Sequence, residues 1–261
     1  VDKLMLSKLI SLESFGYYTL AASVAGALGF LVAPIATAVL PHLTELVAKS
    51  EQKLLIMTYH RVSQWLAAVL IPAALVIAAF AEPLLYAWTG NVGLAQQAAA
   101  VLALLALGTM CNGIMHIPYM TQLAHGWTGL AVRVNIVAVS IIMPAILWAV
   151  PRFGAVGAAW VWLALNAGYM LVGMHFMHRK LLPGEKWRWY LDSVSKPLII
   201  GTIIVAAFRQ GVVLPESRGL LAATLAGIGL VVMLGVMLVV PAPRKFLQLQ
   251  FKSLLGYSLN D

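Results

Sequence analysis

The amino-acid sequence predicts an all-α protein, a polytopic bundle of helices embedded in a membrane. Of its 261 residues, 62% are hydrophobic and only 10% are charged, and the mean hydropathy is +0.91. Soluble domains are about 45–50% apolar and about 25% charged. The apolar residues form long unbroken runs, whereas the strands of a membrane β-barrel alternate apolar and polar residues. The composition also excludes disorder, because disordered chains are polar and rich in charge.

Runs long enough to cross a bilayer recur along the whole chain. A spanning helix needs about 20 mostly apolar residues. Pro34 and Pro72 lie inside two of the runs, which membrane helices tolerate because neighbouring groups satisfy the freed carbonyl. A shorter apolar run at 4–12 predicts only the end of a further span. The seven predicted complete spans are 15–40, 62–81, 94–117, 128–150, 153–177, 193–213 and 219–240.

The basic residues indicate how these spans are oriented. When successive loops are assigned to alternate sides, 12 of the 17 Lys and Arg residues fall on one side and five on the other. Cytoplasmic loops carry an excess of Lys and Arg, so the richer side and the C-terminus are predicted to be cytoplasmic. The residues of the poorer side are Lys3, Lys8, Arg152, Arg209 and Arg218.

Motifs for catalysis or cofactor binding are missing from the sequence. None of the nine acidic residues lies in the middle of a complete span, where a proton or cation site usually needs a carboxylate. The sequence has no phosphate-binding loop of the GxxxxGK type and no His/Cys cluster with zinc spacing. The single cysteine, Cys111, is expected to be a buried packing residue. We therefore predict a protein that is not an enzyme and binds no cofactor, metal or nucleic acid.

Polar side chains within apolar spans are costly and raise a functional hypothesis. Two structural alternatives stay open, because Asn side chains also bond across helices and long basic side chains also extend to the headgroups. His175 and His178 adjoin Arg179 at the predicted cytoplasmic edge, which favours an interfacial role. The candidates in or near the spans are Asp2, Lys3, Lys8, Asn112, His116, Arg133, Asn135 and Asn166.

A series of short strings follows one another along the first 180 residues. Asp-Lys-Leu at 2–4 precedes Glu-Ser-Phe-Gly-Tyr-Tyr at 13–18, and Pro-Ile-Ala at 34–36 precedes Pro-His-Leu-Thr-Glu-Leu at 41–46. Further strings are Trp-Thr-Gly at 88–90, Asn-Gly-Ile-Met-His-Ile-Pro-Tyr at 112–119, Gln-Leu-Ala at 122–124 and Gly-Ala-Val-Gly-Ala-Ala at 154–159. Together they resemble the lipid-linked oligosaccharide flippases of the multidrug/oligosaccharidyl-lipid/polysaccharide (MOP) exporter superfamily, and in particular its O-antigen branch. His42 departs from this pattern, in which Pro-Arg-Leu is commoner.

The resemblance implies a MATE-like fold of two six-helix lobes around a central cavity, often with two extra C-terminal helices. Residues 1–180 would form the second lobe, with an incomplete first helix. Residues 181–261 would form the two extra transmembrane helices and a cytoplasmic tail. The first lobe is then expected to lie outside this sequence and to be its partner. The implied location is the bacterial inner membrane.

The resemblance also implies a substrate, the polyprenyl-pyrophosphate-linked oligosaccharide used for O-antigen or surface polysaccharide. Neither sugar nor pyrophosphate crosses about 30 Å of hydrocarbon unaided, and basic groups and amides can replace the lost hydration. Membrane lipid, a polysaccharide polymerase and chain-length proteins are further expected partners. The expected cavity residues are Lys3, Lys8 and Arg133 around the pyrophosphate, and Asn112, His116, Gln122, Asn135 and Asn166 around the sugar, with Asp2 as a further residue of the cavity.

Three other functions remain open from the sequence. A cation-coupled drug exporter of the same superfamily would favour a buried carboxylate, which the complete spans lack. A membrane-embedded polysaccharide polymerase or ligase would be expected to have a large external loop, whereas the longest outside loop predicted here has about a dozen residues. A structural subunit of a larger complex would not need the polar groups inside the spans.

Overall fold

The computed structural model describes residues 2–254, with side chains for residues 5–250. The protein is 89% helical, and no strand occurs among the described residues. This confirms the predicted all-α membrane bundle. In chain order the helices are α1 (Asp2–Leu9), α2 (Leu12–Gly26), α3 (Gly29–Ala48), α4 (Gln52–Ala79), α5 (Ala81–Thr89), α6 (Val92–Ile114), α7 (His116–Ala124), α8 (Gly129–Leu181), α9 (Lys186–Trp189), a π-helical turn (Tyr190–Ser195), α10 (Lys196–Gly211), α11 (Arg218–Val239) and α12 (Pro241–Leu254).

Six segments of the described chain are long and apolar enough to cross a membrane. In three of them, consecutive helices follow one another almost without a break, so that α2 with α3, α6 with α7, and α9 with α10 each form one segment. The six segments are Leu12–Ala48, Gln52–Ala79, Val92–Ala124, Gly129–Leu181, Lys186–Gly211 and Arg218–Val239.

The longest segment, α8, is a hairpin of two helical limbs. Its 53 residues would measure about 80 Å as one helix, far more than the ~30 Å of a bilayer core. The helix is interrupted at Gly154, where φ is 58° and ψ is −143°. A Cβ atom on Gly157 would lie only 2.6 Å from the carbonyl oxygen of Ala149, although residues eight apart in a continuous helix are separated by about 12 Å. The chain therefore reverses here, and we refer to a first limb (129–153) and a second limb (155–181).

Two helices extend further than the hydropathy pattern predicts. α3 continues through Pro41 to Ala48, and α4 begins at Gln52, ten residues before the predicted span. Pro41 removes one backbone donor, and a helix packed among others survives that loss. The charged residues Glu45 and Lys53 therefore lie within α3 and α4.

Pro118 likewise does not end the helical segment that contains it. α6 ends at Ile114, and α7 starts at His116 and runs to Ala124. Pro118 is therefore the third residue of a new helix. The first four N–H groups of a helix have no partner within it, so the donor that proline lacks is not needed at this position. The predicted loop from 118 to 127 is largely helix for this reason.

The helix α6 forms the centre of the bundle. It packs against α2, α4, α5 and α8, and it has buried residues along its whole length. Small residues let the neighbours approach closely: a Cβ on Gly108 would lie 2.4 Å from the side chain of Trp162 in the second limb of α8, and one on Gly113 would lie 2.5 Å from Leu70 in α4. Membrane helices pack through such small residues because lipid provides no hydrophobic drive for helix association.

Two arginines hold together the end of the bundle at which α4 and α5 finish. Arg209 donates to the carbonyl oxygen of Ala79 at the end of α4. Arg218 donates to the carbonyl oxygens of Ala87 and Trp88 at the end of α5, at 3.2 and 2.9 Å. Cations at a helix C-terminus satisfy free carbonyls and the helix dipole. Two of the five basic residues on the predicted poorer side thus have a local role as helix caps.

The other end of the bundle carries most of the basic side chains, and we call it the basic end. Here the Lys180 ammonium lies over the Trp127 ring, 4.2 Å from its centre, and the loop before α9 packs against α4 through Glu185 and His60. The basic residues at this end include Lys49, Arg179, Lys180, Lys186, Arg188, Arg244 and Lys245.

Candidate functional site

Three of the predicted cavity residues come together between α6 and the second limb of α8. The Asn112 side-chain nitrogen donates to Asn166 Oδ1 at 2.9 Å, and Asn166 donates in turn to the carbonyl oxygen of Trp162 at 2.8 Å. His116 Nδ1 lies 3.1 Å from the carbonyl oxygen of Asn112. A carbonyl oxygen can only accept, so Nδ1 carries the proton. Asn166 is buried, and Asn112 and His116 are half-buried.

The Asn112–Asn166 bond joins two helices. It matches the structural alternative that the sequence left open, in which Asn side chains bond to one another across helices. Gly108 is one helical turn from Asn112, as Trp162 is from Asn166, so the close contact at Gly108 and the amide pair lie next to each other. Bonds between amides across membrane helices stabilise helix pairs. The exposed part of Asn112 and the ring of His116 remain available to a polar ligand.

The other predicted residues do not join this group. Gln122 is buried in α7, and its Oε1 atom has no hydrogen-bond partner within the described residues. Lys8 and Asn135 are exposed. Asp2 and Lys3 belong to α1, but their side chains lie outside the described residues.

Arg133 lies on the first limb of α8 and lines a groove between the two limbs. We call this cavity the hairpin groove, and its volume is about 660 Å³. Aliphatic and aromatic side chains line most of it, together with Tyr169 of the second limb. Among its lining residues that the structure describes, Arg133 carries the only full charge. A second cavity of about 680 Å³, at the end opposite the basic end, has both signs of charge around it, from Glu82, Arg209 and Glu216.

A buried polar cluster at the basic end was missed by the sequence analysis. The Tyr59 hydroxyl lies 2.9 Å from His178 Nε2, and His178 Nδ1 lies 2.8 Å from the carbonyl oxygen of Met174. Because that carbonyl accepts a hydrogen bond from Nδ1–H, Nε2 of a neutral His178 ring carries no proton. The Tyr59 hydroxyl therefore donates its hydrogen bond to Nε2. His178 is only 1% exposed, so it is a core residue here and not the interfacial group that the sequence favoured.

The same cluster joins α4 to the loop before α9. His60 Nε2 lies 2.6 Å from Glu185 Oε2, and His60 is 2% exposed. Arg188 approaches the same carboxylate oxygen at 3.6 Å. The Trp189 ring lies against that of His178, with centres 5.5 Å apart and planes tilted by 48°. The cluster, which we call the histidine cluster, consists of Tyr59, His60, His178, Glu185, Arg188 and Trp189.

One signal in the sequence points to the histidine cluster. His60, Ser63 and Gln64 follow the i, i+3, i+4 spacing that places side chains on one face of a helix, and all three are buried in the structure. Gln64 accepts the backbone N–H of Ala242 at 2.8 Å, which ties α12 to α4. The partners on the other side, His178 and Glu185, are more than 100 residues away, so the pattern alone does not identify them.

No group of three or more His, Cys, Asp or Glu side chains suited to a metal ion occurs within the described residues. Cys111 is buried, as the sequence predicts.

Comparison with known proteins places part of the chain in a functional context. Residues 1–92, about a third of the chain, match a family model described as polysaccharide biosynthesis protein. No curated protein and no solved structure matches the chain. The matched stretch covers α1 to α5 and includes Tyr59 and His60 of the histidine cluster. Together with the six spanning segments, it supports a multi-pass membrane protein of polysaccharide biosynthesis.

Proposed function

We propose that this chain acts in the translocation of polyprenyl-pyrophosphate-linked oligosaccharides across the bacterial inner membrane, as a transporter and not as an enzyme. The observation that carries the proposal is the match of residues 1–92 to a polysaccharide biosynthesis family on a bundle of spanning helices. Polymers built inside the cell need their polar units moved across the bilayer. A helical bundle with polar groups in its interior meets that need.

The chemistry of the described residues suits such a substrate. Asn112, His116 and Asn166 provide amide and imidazole groups inside the bundle, where sugar hydroxyls would otherwise lose their hydration. Arg133 offers a guanidinium, which recognises phosphate oxygens through paired donors. Transport by alternating access requires a second helical unit that rocks against this one. We propose that this unit is an N-terminal lobe of the same protein.

The orientation follows from the charges at the two ends. The basic end, with the C-terminal helix α12, would face the cytoplasm under the positive-inside rule. Cys111 is buried, so single cysteines can be introduced in a Cys111→Ala background. A cysteine at Ser50 should react with a membrane-impermeant maleimide only after the cells are opened, and one at Ser217 should react in spheroplasts. The reverse labelling would contradict this orientation.

Deletion of the gene in its host tests the function itself. Loss of surface polysaccharide, with lipid-linked oligosaccharide accumulating in the inner leaflet, is the expected result. Complementation with Lys8→Ala or Arg133→Ala should restore export poorly at a normal membrane level, and complementation with Arg152→Ala should restore it fully. Normal polysaccharide together with raised sensitivity to cationic drugs would contradict the proposal and favour a drug exporter.

A further inference from the structure

The hairpin groove follows the two limbs of α8 along much of the membrane. Its lining runs from Leu130 to Ala145 on the first limb and from Val161 to Phe176 on the second. Fifteen residues of helix rise about 22 Å, most of the ~30 Å hydrocarbon thickness. Its volume of about 660 Å³ lies within the range of about 300–1,000 Å³ seen for ligand sites.

The chemistry of the groove changes along its length. Away from the basic end its walls are aliphatic, with Val137, Ile141 and Leu165 among them. Gly168 widens the middle, because a Cβ at this position would meet no atom within 4 Å. A long, unbranched or isoprenoid chain is the kind of ligand that such walls accept.

The end of the groove nearest the basic end is cationic. Arg133 lies one helical turn inside the start of the first limb, is exposed, and is the only charged residue among the described residues that line the groove. Just beyond it, Lys180 of the second limb lies over Trp127, two residues before the first limb begins. A guanidinium and an ammonium thus lie at the same end of the two limbs.

We propose that the hairpin groove binds the lipid part of the substrate, with the polyprenyl chain along the limbs and the pyrophosphate against Arg133. This inference rests on the proposed function and assigns the substrate's tail to a specific pair of helices. The charge at one end and the apolar walls beyond it match the two chemical parts of a polyprenyl pyrophosphate. A phospholipid has the same charge pattern but two chains, and it serves as the competitor in the test.

Binding of undecaprenyl pyrophosphate to the full-length protein in nanodiscs tests the groove. Gly168→Leu adds a side chain where a Cβ meets no atom within 4 Å, and it should weaken binding of both undecaprenyl pyrophosphate and undecaprenol by about tenfold or more. Arg133→Gln should weaken only the pyrophosphate, again by about tenfold. The matched controls are Gly227→Leu, a half-buried glycine with open space on α11, and Arg152→Gln at the far end of the first limb; both should bind as the wild type does.

The outcomes separate this inference from the proposed function. If the wild type binds and Gly168→Leu binds equally well, the groove is not the site, although the transport proposal stands. If the wild type does not bind, or binds phosphatidylglycerol as tightly, both proposals fail. A diazirine on the polyprenyl chain gives an independent measurement: cross-links should fall within 130–145 and 161–176, and cross-links confined to α10 and α11 would overturn the assignment.

Discussion

The helix α6 and the first limb of α8 have similar apolar composition and opposite surroundings. Eleven of the 23 residues of α6 are buried, against four of the 25 residues of the first limb. Lipid tails are as apolar as leucine, so both environments satisfy the same side chains. The difference shows that apolar composition decides whether a helix lies in the membrane. Close contacts, such as that of Gly108 with Trp162, decide which helices pack against one another.

The largest expected effect tests this comparison directly. Leu102 on α6 is fully buried, and Leu147 on the first limb is 54% exposed. Leu102→Ala should lower the free energy of unfolding by about 3 kcal/mol, because it leaves a cavity among packed helices. Leu147→Ala should lower it by less than about 0.5 kcal/mol. Unfolding in detergent micelles measures both, and equal losses would show that the first limb is packed against protein as tightly as α6.

The histidine cluster allows the same comparison of a buried with an exposed residue at the basic end. His60→Ala removes the partner at 2.6 Å from Glu185 and should cost about 2 kcal/mol, since bonds to a charged group are among the stronger ones. His175→Ala, at an exposed position on the second limb, should leave the unfolding free energy unchanged. A loss at His175 as large as that at His60 would contradict the role assigned to burial.

A smaller effect is expected at the amide pair. Asn166→Ala should cost about 1 kcal/mol, the usual range for a hydrogen bond between membrane helices. In a double-mutant cycle with Asn112→Ala, the two losses should not add, because one bond is shared. Asn135→Ala, on the exposed limb, is the control. Additive losses would mean that the two amides stabilise the bundle independently.

The smallest effect concerns the contact that closes the hairpin at the basic end. Lys180→Met removes the cation over Trp127 and should cost about 0.5 kcal/mol. The neighbouring exposed variant Arg179→Met should cost nothing measurable. A larger loss at Lys180 would indicate that the first limb depends on this one contact for its position.

The sequence determined the class of this protein, an all-α bundle of membrane helices. Hydrophobic runs of about 20 residues are sufficient for this, because a backbone in hydrocarbon must satisfy its own hydrogen bonds and therefore becomes helical. The buried Cys111 and the break between the predicted spans 128–150 and 153–177 were also predictable from local sequence. The helix ends were less predictable. At Pro41 and Pro118 the chain continues as helix, because proline is tolerated among packed helices and in the first turn of a helix.

Only the tertiary structure decided which polar residues meet. Asn112 and Asn166 are 54 positions apart, and Tyr59 and His178 are 119 apart, so their pairing depends on which helices are neighbours. The hairpin groove likewise exists only because Gly154 turns α8 back on itself. Hydropathy places each span in the bilayer, but it gives little information about how the helix is rotated or which helices it contacts, because lipid satisfies every apolar face equally well. The packing of small residues and the pairing of buried polar groups supply that information.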